Sequence, residues 1–451
     1  MVTRRTRVAV NAALVLLVAA GCGGVGKAGN DSNTDSTAPA TLTSMGFGTK
    51  DEVAKVRFDL ANKAIAPSTV QAGESAFNAQ QFLSAVASNT PPDLVYMERQ
   101  LLGTYASRGT LLPLTDCVRD QKIDMGQYRQ AAVAEVTFGG KLFGLPEFFN
   151  NRLLMINDQS LAKVGMSPAD LTTNNWTALA DATKRLTTTS GGKLARIGFD
   201  PKLPEFLPMW AKANGVSLVS DDGRTAHLND PKVVEALTYA VGLIDAQGGW
   251  AKVKSFRDSF DFFGAKNEFA VDQLGAFPME DWYLNVLAEN SPTLKVTVAP
   301  FLGVDGKPVD WVTGNVWAIP AKSKHAKAAC QWIKTITASD SWVAAAKARA
   351  TARKDAGKPF TGIYTANKKA DETIFGDLVK STGNASYDQA IQTVLKTQDV
   401  AFTLPPLAAG EEFKAAWQDA VNRVLSGQQK PADALNQAQK DAQAALDKAN
   451  K

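Results

Sequence analysis

Short apolar runs alternate with amphipathic stretches along this chain from about residue 41 to its end. Residues 41–47 and 93–97 have the pattern of strands, whereas residues 52–64 and 77–87 repeat apolar side chains at helical spacing. An alternation of this kind is typical of helices that pack on sheets, and it therefore predicts an α/β fold.

Local signals place several helices more closely. Asp230 followed by Pro231 is a capping side chain with a proline in the first turn, and Gly248-Gly249 ends the helix that follows. We expect another helix after Ser323 and two more from residue 411 onward, with a break near residue 431. Four tryptophans lie at helical positions typical of a core, namely Trp176, Trp332, Trp342 and Trp417. The roles of three others are left open, namely Trp210, Trp311 and Trp317.

The size and charge of the chain limit its function. It has 451 residues, of which 45% are apolar, so it can bury substantial cores and form two domains or more. Its formal charge is +4, but Arg4, Arg5 and Arg7 lie in a segment that we expect to be removed. The remaining chain is nearly neutral, which removes the electrostatic argument for a nucleic-acid partner.

The first 21 residues have the composition of a signal peptide. A basic start is followed by an apolar run over residues 8–20, which is shorter than the ~20 residues of a spanning helix. The segment LVAAGC resembles a lipobox, which implies a lipid on Cys22 that anchors the chain to the outer face of the cell membrane. Ordinary secretion is the alternative. Residues 22–40 are rich in Gly, Ser, Thr, Asn and Asp and predict a flexible tether.

Two further cysteines, Cys117 and Cys330, lie far apart in the sequence. An extracytoplasmic compartment would permit a disulfide between them. We expect two buried free thiols instead, because free cysteine behaves as a small apolar residue.

Four segments carry a family resemblance, in the family's order. They are PPDLVYMERQLLGTYASRGTLLPLTD (91–116), FGGKLFGLPEFFNNRLLMIN (138–157), NWTALADATKRLT (175–187) and GNVWAIPAKSKHAKAACQWIKTIT (314–337). Together they resemble the family 1 extracellular solute-binding proteins, the maltose-binding type of importer receptor. The sequence departs from the family at ligand positions, where it has Met97, Glu98 and Glu280-Asp281. These departures leave the identity of the sugar open.

The resemblance implies a two-lobed periplasmic-binding-protein-like fold with a ligand cleft between the lobes. Residues 41–152 and about 300–350 would form the first lobe, and residues 153–299 and about 351–448 the second. It also implies a monomer without a cofactor or enzymatic activity. Such a protein captures a mono- or oligosaccharide by lobe closure and delivers it to the permease subunits of an ABC importer.

The same resemblance implies the ligand contacts. A sugar presents hydroxyls and flat C–H faces, so its site needs carboxylates, amides and aromatic rings. The implied ligand-binding residues are Glu98, Gln100, Asn150, Asn151, Glu205, Phe206, Trp282, Gly314 and Asn315. Trp282 is favoured among them, since a tryptophan beside two acids is costly to expose unless something stacks on it. Asn150 and Asn151 could instead cap a turn, and Glu98 could be a solvated helix start.

An exported glycoside hydrolase is an alternative function. The carboxylates that could act as acid and base are Glu98, Glu205, Glu280 and Asp281. The sequence contains neither H-E-x-x-H nor G-x-S-x-G, and His227 and His325 are too isolated to indicate a metal site.

A third alternative keeps the fold and changes the ligand to a phosphodiester, polyamine or peptide. An anionic ligand would need arginine in the cleft, and Arg99 and Arg152 lie close enough to the implied contacts to leave this alternative open.

Overall fold

Two five-stranded sheets organise the computed structural model, which describes residues 38–451. The predicted signal peptide, Cys22 and the tether up to residue 37 lie outside the described residues. The strands are β1 (Thr41–Met45), β2 (Thr69–Gln71), β3 (Leu94–Glu98), β4 (Thr137–Phe138), β5 (Lys141–Leu142), β6 (Gly144–Pro146), β7 (Arg152–Asn157), β8 (Thr188–Ser190), β9 (Lys193–Phe199), β10 (Leu274–Glu280), β11 (Val296–Ala299), β12 (Asp310–Trp311), β13 (Asn315–Ala318) and β14 (Ala401–Phe402). The helices are α1 (Glu52–Ala64), α2 (Ala79–Ala87), α3 (Leu102–Ser107), α4 (Thr115–Asp120), α5 (Gln130–Glu135), α6 (Asp158–Ala162), α7 (Trp176–Leu186), α8 (Leu207–Ala213), α9 (Pro231–Asp245), α10 (Trp250–Arg257), α11 (Tyr283–Asn290), α12 (Ala326–Ile336), α13 (Ser339–Asp355), α14 (Lys368–Thr373), α15 (Ala385–Thr397), α16 (Gly410–Leu425) and α17 (Pro431–Ala449).

The first sheet has the order β2-β1-β3-β13-β6. Strand β1 runs parallel to β2 and β3, with Leu42 opposite Val70. Strand β13 runs antiparallel to β3 and β6, which places Trp317 between Tyr96 and Leu145. Because β13 comes more than 160 residues after β6 in the chain, the first lobe is assembled from separate parts of the sequence.

Trp332 of α12 lies in the core beside this sheet. Its ring meets Phe58 of α1 edge-on at 5.5 Å and Trp317 at 4.7 Å between centroids. Its indole Nε1 donates to Asn62 Oδ1 at 2.9 Å, and the side chain is fully buried. Among the other tryptophans predicted for the core, Trp342 and Trp417 are buried and Trp176 is half-buried. The three that were left open, Trp210, Trp311 and Trp317, are all buried.

The second sheet has the order β11-β7-β10-β9-β8. Strand β7 runs antiparallel to both neighbours, and β9 runs parallel to β10. All six residues of β7 are buried, because this strand lies inside the sheet with apolar side chains packed on both faces. Helix α7 packs on β9 and α15 on β11. Within residues 38–451, no helix combines the length and apolar character needed to cross a bilayer.

Several helices begin where local signals predict. Helix α1 spans the predicted residues 52–64, with Asp51 as its N-cap, and Asp230 caps α9 at the predicted start. Helix α2 begins at Ala79, two residues later than predicted, because the side chain of Asn78 caps it there. The two expected C-terminal helices are α16 and α17.

Helix α14 packs with the first lobe, although we expected residues from about 351 onward in the second. Helix α13 continues to residue 355, and α14 together with the turn Ile374–Leu378 packs back on it. Trp342 and Ile374 share a core with Val53 of α1. The apolar face of α13 therefore holds α14 and the turn after it. The end of α13 and the connection to α14 also bond to α11 of the second lobe, where Arg353 and Lys358 pair with Glu289.

Cys117 of α4 and Cys330 of α12 form a disulfide, so the expectation of two free thiols is wrong. The two helices pack against each other and bring the Cα atoms to 5.8 Å, within the range that a disulfide spans. The bond joins residues 213 positions apart in the sequence, both of which belong to the first lobe.

Chain segments that run between the lobes pair with one another side by side. Asn150 forms an antiparallel bridge with Thr313, and β12 runs parallel to β14. Asp310 of β12 is buried among these segments, where its Oδ1 accepts the backbone N–H of Arg152 at 2.8 Å. Its Oδ2 has no hydrogen-bond partner among the described residues. Burial raises the pKa of Asp310 to about 8.

Replacing Asp310 with asparagine should change how stability depends on pH. Between its unfolded pKa of about 3.9 and its folded pKa of about 8, Asp310 binds more protons in the folded protein, so its contribution to stability falls as pH rises. Asparagine keeps the acceptor oxygen and does not titrate. From pH 5 to 8, the free energy of unfolding of Asp310→Asn should therefore rise relative to that of wild type by up to ~1.4 kcal/mol for each pH unit.

Urea denaturation of the two proteins at a series of pH values measures this difference. Exposed Asp305 provides a control, since its pKa is lowered by the backbone N–H of Lys307. Above pH 5, the free energy of unfolding of Asp305→Asn should change with pH as that of wild type does. Parallel curves for Asp310→Asn and wild type would contradict the prediction.

Candidate functional site

A cavity of about 470 Å³ lies where the ends of the two sheets meet helix α16. The first lobe contributes the end of β3, and the second lobe contributes the ends of β7 and β10 and the loop between β9 and α8. The residues around the cavity are Glu98, Gln100, Asn150, Arg152, Lys202, Glu205, Phe206, Phe262, Met279, Glu280, Trp282, Trp311, Thr313, Gly314, Asn315, Lys414, Trp417 and Gln418. They come from segments spread over most of the chain, so the site exists only in the folded protein.

The structure brings eight of the nine predicted contact residues to this cavity. They are Glu98, Gln100, Asn150, Glu205, Phe206, Trp282, Gly314 and Asn315. At Gly314 a side chain has no room, because a Cβ atom there would lie 2.2 Å from the carbonyl oxygen of Phe148 and 2.3 Å from Nη1 of Arg99. The glycine therefore lets residues 310–314, the return segment that leads into β13, approach the backbone of Phe148 closely.

Asn151 is the exception, since it does not line the cavity. Successive side chains point to opposite sides of an extended chain, so Asn150 and Arg152 face the cavity and Asn151 faces away. Asn151 is fully buried, with Nδ2 donating to the carbonyl of Phe149 at 3.0 Å and to Asp281. Burial raises the pKa of Asp281 well above its ordinary value. Asn151 and Asp281 therefore tie the start of β7 to the end of β10.

Aromatic rings form part of the cavity wall. Trp282 is half-buried, and its indole Nε1 donates to Glu280. The ring of Phe263, which is 68% exposed, lies nearly parallel to Trp282 at 6.1 Å between centroids, and Phe262 meets Trp282 edge-on. Trp282 is thus held by protein contacts while remaining on the wall.

Arg152 is enclosed by the cavity wall. Its guanidinium lies 4.1 Å from the ring centroid of Trp311 and 4.8 Å from that of Phe206. It donates to Glu280 Oε1 at 2.5 Å, to the carbonyl of Trp311 at 2.7 Å and to Thr313 Oγ1 at 3.1 Å. The charge of Arg152 is therefore compensated by the protein itself.

The charges around the cavity balance. The acids are Glu98, Glu205 and Glu280, and the bases are Arg152, Lys202 and Lys414. Lys414 reaches across from α16 to Glu98 at 2.6 Å. Arg99, the other arginine that left an anionic ligand open, is fully buried and paired with Glu135 at 2.6 Å. Neither arginine is available as a free cation for an anionic ligand.

Three buried donors on the wall have no hydrogen-bond partner among the described residues. They are Nε2 of Gln100, Nε of Arg152 and Nε1 of Trp311. A buried polar group without a partner costs about 1–3 kcal/mol, and native structures contain few of them. The residues that carry these donors all line one cavity, and a ligand with several hydrogen-bond acceptors would satisfy them.

Sequence reasoning missed the contribution of α16. Trp417 was predicted as core; it is buried and also lines the cavity, beside Lys414 and Gln418. The available signal was the spacing of Lys414 and Gln418 by four residues, which places two polar side chains on the face that carries Trp417. Lys202, Phe262, Met279 and Thr313 were missed without any comparable signal. Within residues 38–451, no group of three His, Cys, Asp or Glu side chains could hold a metal ion.

Comparisons with known proteins agree with this architecture. The model of the bacterial extracellular solute-binding protein family matches residues 51–350. The arabinooligosaccharide-binding protein of Bacillus subtilis (strain 168) is 22% identical over 255 residues, which are 56% of this chain and 57% of that relative.

Solved structures share the fold over nearly the whole chain. CpMnBP1 with mannotriose bound has a TM-score of 0.73 and 23% identity, and the match covers 90% of this chain and 100% of that one. An ABC substrate-binding protein from Listeria monocytogenes in complex with cycloalternan has a TM-score of 0.70 and 18% identity, with coverage of 91% and 100%. The family match spans well over half of the sequence, and the chain belongs to the bacterial extracellular solute-binding proteins.

Proposed function

We propose that this protein captures a carbohydrate outside the cytoplasm and delivers it to the permease subunits of an ABC importer. The observation that carries the proposal is the set of unpartnered donors on a wall that also holds aromatic rings and carboxylates. Sugar hydroxyls accept from such donors and donate to carboxylates, and the C–H faces of a sugar stack on rings.

The charge balance of the cavity favours a neutral ligand. Three acids and three bases surround it, and Arg152 and Lys414 are already paired with carboxylates. Lys202 and Glu205 remain, one of each sign, so the wall has no excess of cations for a phosphodiester and no excess of acids for a polyamine. The relatives point the same way, since their names specify arabinooligosaccharide binding and bound mannotriose or cycloalternan.

The paired crossing segments support capture by lobe closure. The segments around Asn150, Thr313 and β14 lie side by side between the lobes, so they can bend together while each lobe keeps its own core.

We propose further that the protein acts as a monomer and that a lipid on Cys22 anchors it to the outer face of the membrane. The tether over residues 22–40 would hold the folded part away from the bilayer.

A neutral sugar should stabilise the folded protein. A ligand that binds only the folded form raises the melting temperature by mass action, and the rise grows with ligand concentration. Thermal unfolding of residues 38–451 with a panel of mono- and oligosaccharides measures this effect. Glycerol phosphate, spermidine and a short peptide serve as controls and should leave the melting temperature unchanged.

The same panel distinguishes the alternative functions. A shift with glycerol phosphate or spermidine, and none with any sugar, would replace the carbohydrate with that ligand class. Release of a shortened sugar from an oligosaccharide during incubation would show a glycoside hydrolase instead.

Trp282→Ala should weaken sugar binding at least about tenfold. The ring contributes about 0.5–1.5 kcal/mol beyond the area it buries, and the lost area adds to this loss. Stability should fall only modestly, although the contacts with Phe262 and Phe263 are lost, because Trp282 is half-buried. Isothermal titration and urea denaturation measure the two effects separately.

Trp332→Ala provides the matched control. It removes a fully buried ring that does not line the cavity and should cost ~3–5 kcal/mol of stability. At a temperature where the variant is folded, its sugar affinity should equal that of wild type. Normal binding by Trp282→Ala together with a large loss of stability would instead make Trp282 a core residue.

Cys22 should carry the lipid. Metabolic labelling of the full chain with a radioactive fatty acid should label the wild type and fractionate it with membranes. Cys22→Ala should lose both the label and the membrane association. Label retained on the variant, or absent from the wild type, would contradict the lipid anchor and favour ordinary secretion.

A further inference from the structure

A second cavity of about 210 Å³ adjoins the first within the second lobe. The two cavities share Lys202, Glu205 and Phe262. The other residues around it come from the end of β9, the end of α10 and the chain leading into β10. They are Asp200, Arg257, Phe260, Glu268, Leu274 and Phe277. We call this space the side cavity.

Glu268 is the polar group of the side cavity that the fold leaves unsatisfied. Its side chain is fully buried, and its Oε1 accepts the hydroxyl of Tyr283 at 2.6 Å. Its Oε2 has no hydrogen-bond partner among the described residues. Burial raises the pKa of Glu268 to about 7. A carboxyl group that is buried beside a cavity with one free oxygen suits a hydroxyl-bearing ligand.

Arg257 supplies donors to the same space. Its Nη1 reaches both oxygens of Asp200 only at 3.4 Å and the carbonyl of Leu203 at 3.3 Å, so these bonds are long and weak. A ligand oxygen could compete with them at little cost. Phe260 and Phe262 add aromatic surface, so the side cavity repeats the combination of rings, donors and carboxyl groups found in the main cavity.

We propose that the side cavity is a subsite for one further sugar unit, so that the ligand is an oligosaccharide. This inference rests on the proposed function. Glu268 Oε2 takes a hydroxyl of that unit, Arg257 donates to its oxygens, and Phe260 and Phe262 cover its C–H face. Because every residue of the side cavity lies between 200 and 277, the second lobe forms the subsite without the first.

Two variants alter the side cavity without touching the residues that only the main cavity uses. Glu268→Gln keeps the shape of the side chain and the bond with Tyr283, but it removes the carboxyl group. Phe260→Trp narrows the space with a larger ring at a half-buried position. Ser259→Ala, exposed beside Phe260, is the control.

Isothermal titration uses three series of probes: mannose, mannobiose and mannotriose; glucose, maltose and maltotriose; arabinose, arabinobiose and arabinotriose. In the series that binds, wild type should bind the sugar long enough to enter the side cavity at least about tenfold more tightly than the sugar that is one unit shorter. Both variants should lose that gain and bind the shorter sugar as wild type does. Ser259→Ala should match wild type throughout.

Two outcomes would overturn the subsite while leaving the proposed function intact. One is equal affinity of wild type for short and long sugars of a series. The other is a gain with length that both variants keep, which would make the side cavity a space for water only. If wild type binds no sugar of any series, the proposed function fails, and the subsite fails with it.

Discussion

The guanidinium of Arg152 is the interaction on which the cleft depends. Arg152 is the first residue of β7. Its side chain donates to Glu280 at the end of β10. It also donates to the carbonyl of Trp311 and to the hydroxyl of Thr313 on the return segment. Its backbone N–H meanwhile donates to Asp310. One residue thus connects the central strands of the second sheet with the chain returning to the first. Loss of its side chain would remove the cation that Glu280 pairs with and the donors to the return segment.

Two more buried arginines act in a similar way on the first lobe. Arg57 pairs with Glu147, which also accepts Nε1 of Trp317 at 2.9 Å, and Arg99 pairs with Glu135. Burying a charge is costly unless it is paired and hydrogen-bonded, so each pair fixes the geometry of the elements that carry it. The pairing also leaves none of these arginines as a free cation at the cleft. The donors left free on its wall therefore suit a neutral ligand with many oxygen atoms.

The sequence predicts best what depends on neighbouring residues. Helices α1 and α9 begin at the expected positions because Asp51 and Asp230 cap them locally. Two free thiols were expected wrongly, because Cys117 and Cys330 are 213 residues apart and only the packing of α4 on α12 brings them together. The position of α14 was not predicted for the same reason, since it depends on which apolar face the chain meets after α13.

The predicted ligand-binding residues show the same difference between local signals and long-range packing. Eight of the nine predicted residues line the cavity, and five of them belong to the quoted motifs, because those motifs lie where a strand ends or begins beside the cavity. Asn151 differs from Asn150 only in the side of the chain to which it points, and a motif does not fix that side. The residues of α16 carry no motif, and their position depends on how the last helices return to the cleft.

Helix α16 links the two lobes and thereby sets the shape of the cavity. Its start rests on the first lobe, where Arg108 pairs with Glu412 at 2.6 Å. A Cβ atom on Gly103 of α3 would lie 2.5 Å from the carbonyl oxygen of Leu407, so this close approach depends on glycine. Its remaining length packs on α17 and α9 of the second lobe. Because Trp417 is carried by a helix held from both sides, a change in the angle between the lobes must move this ring relative to one of them.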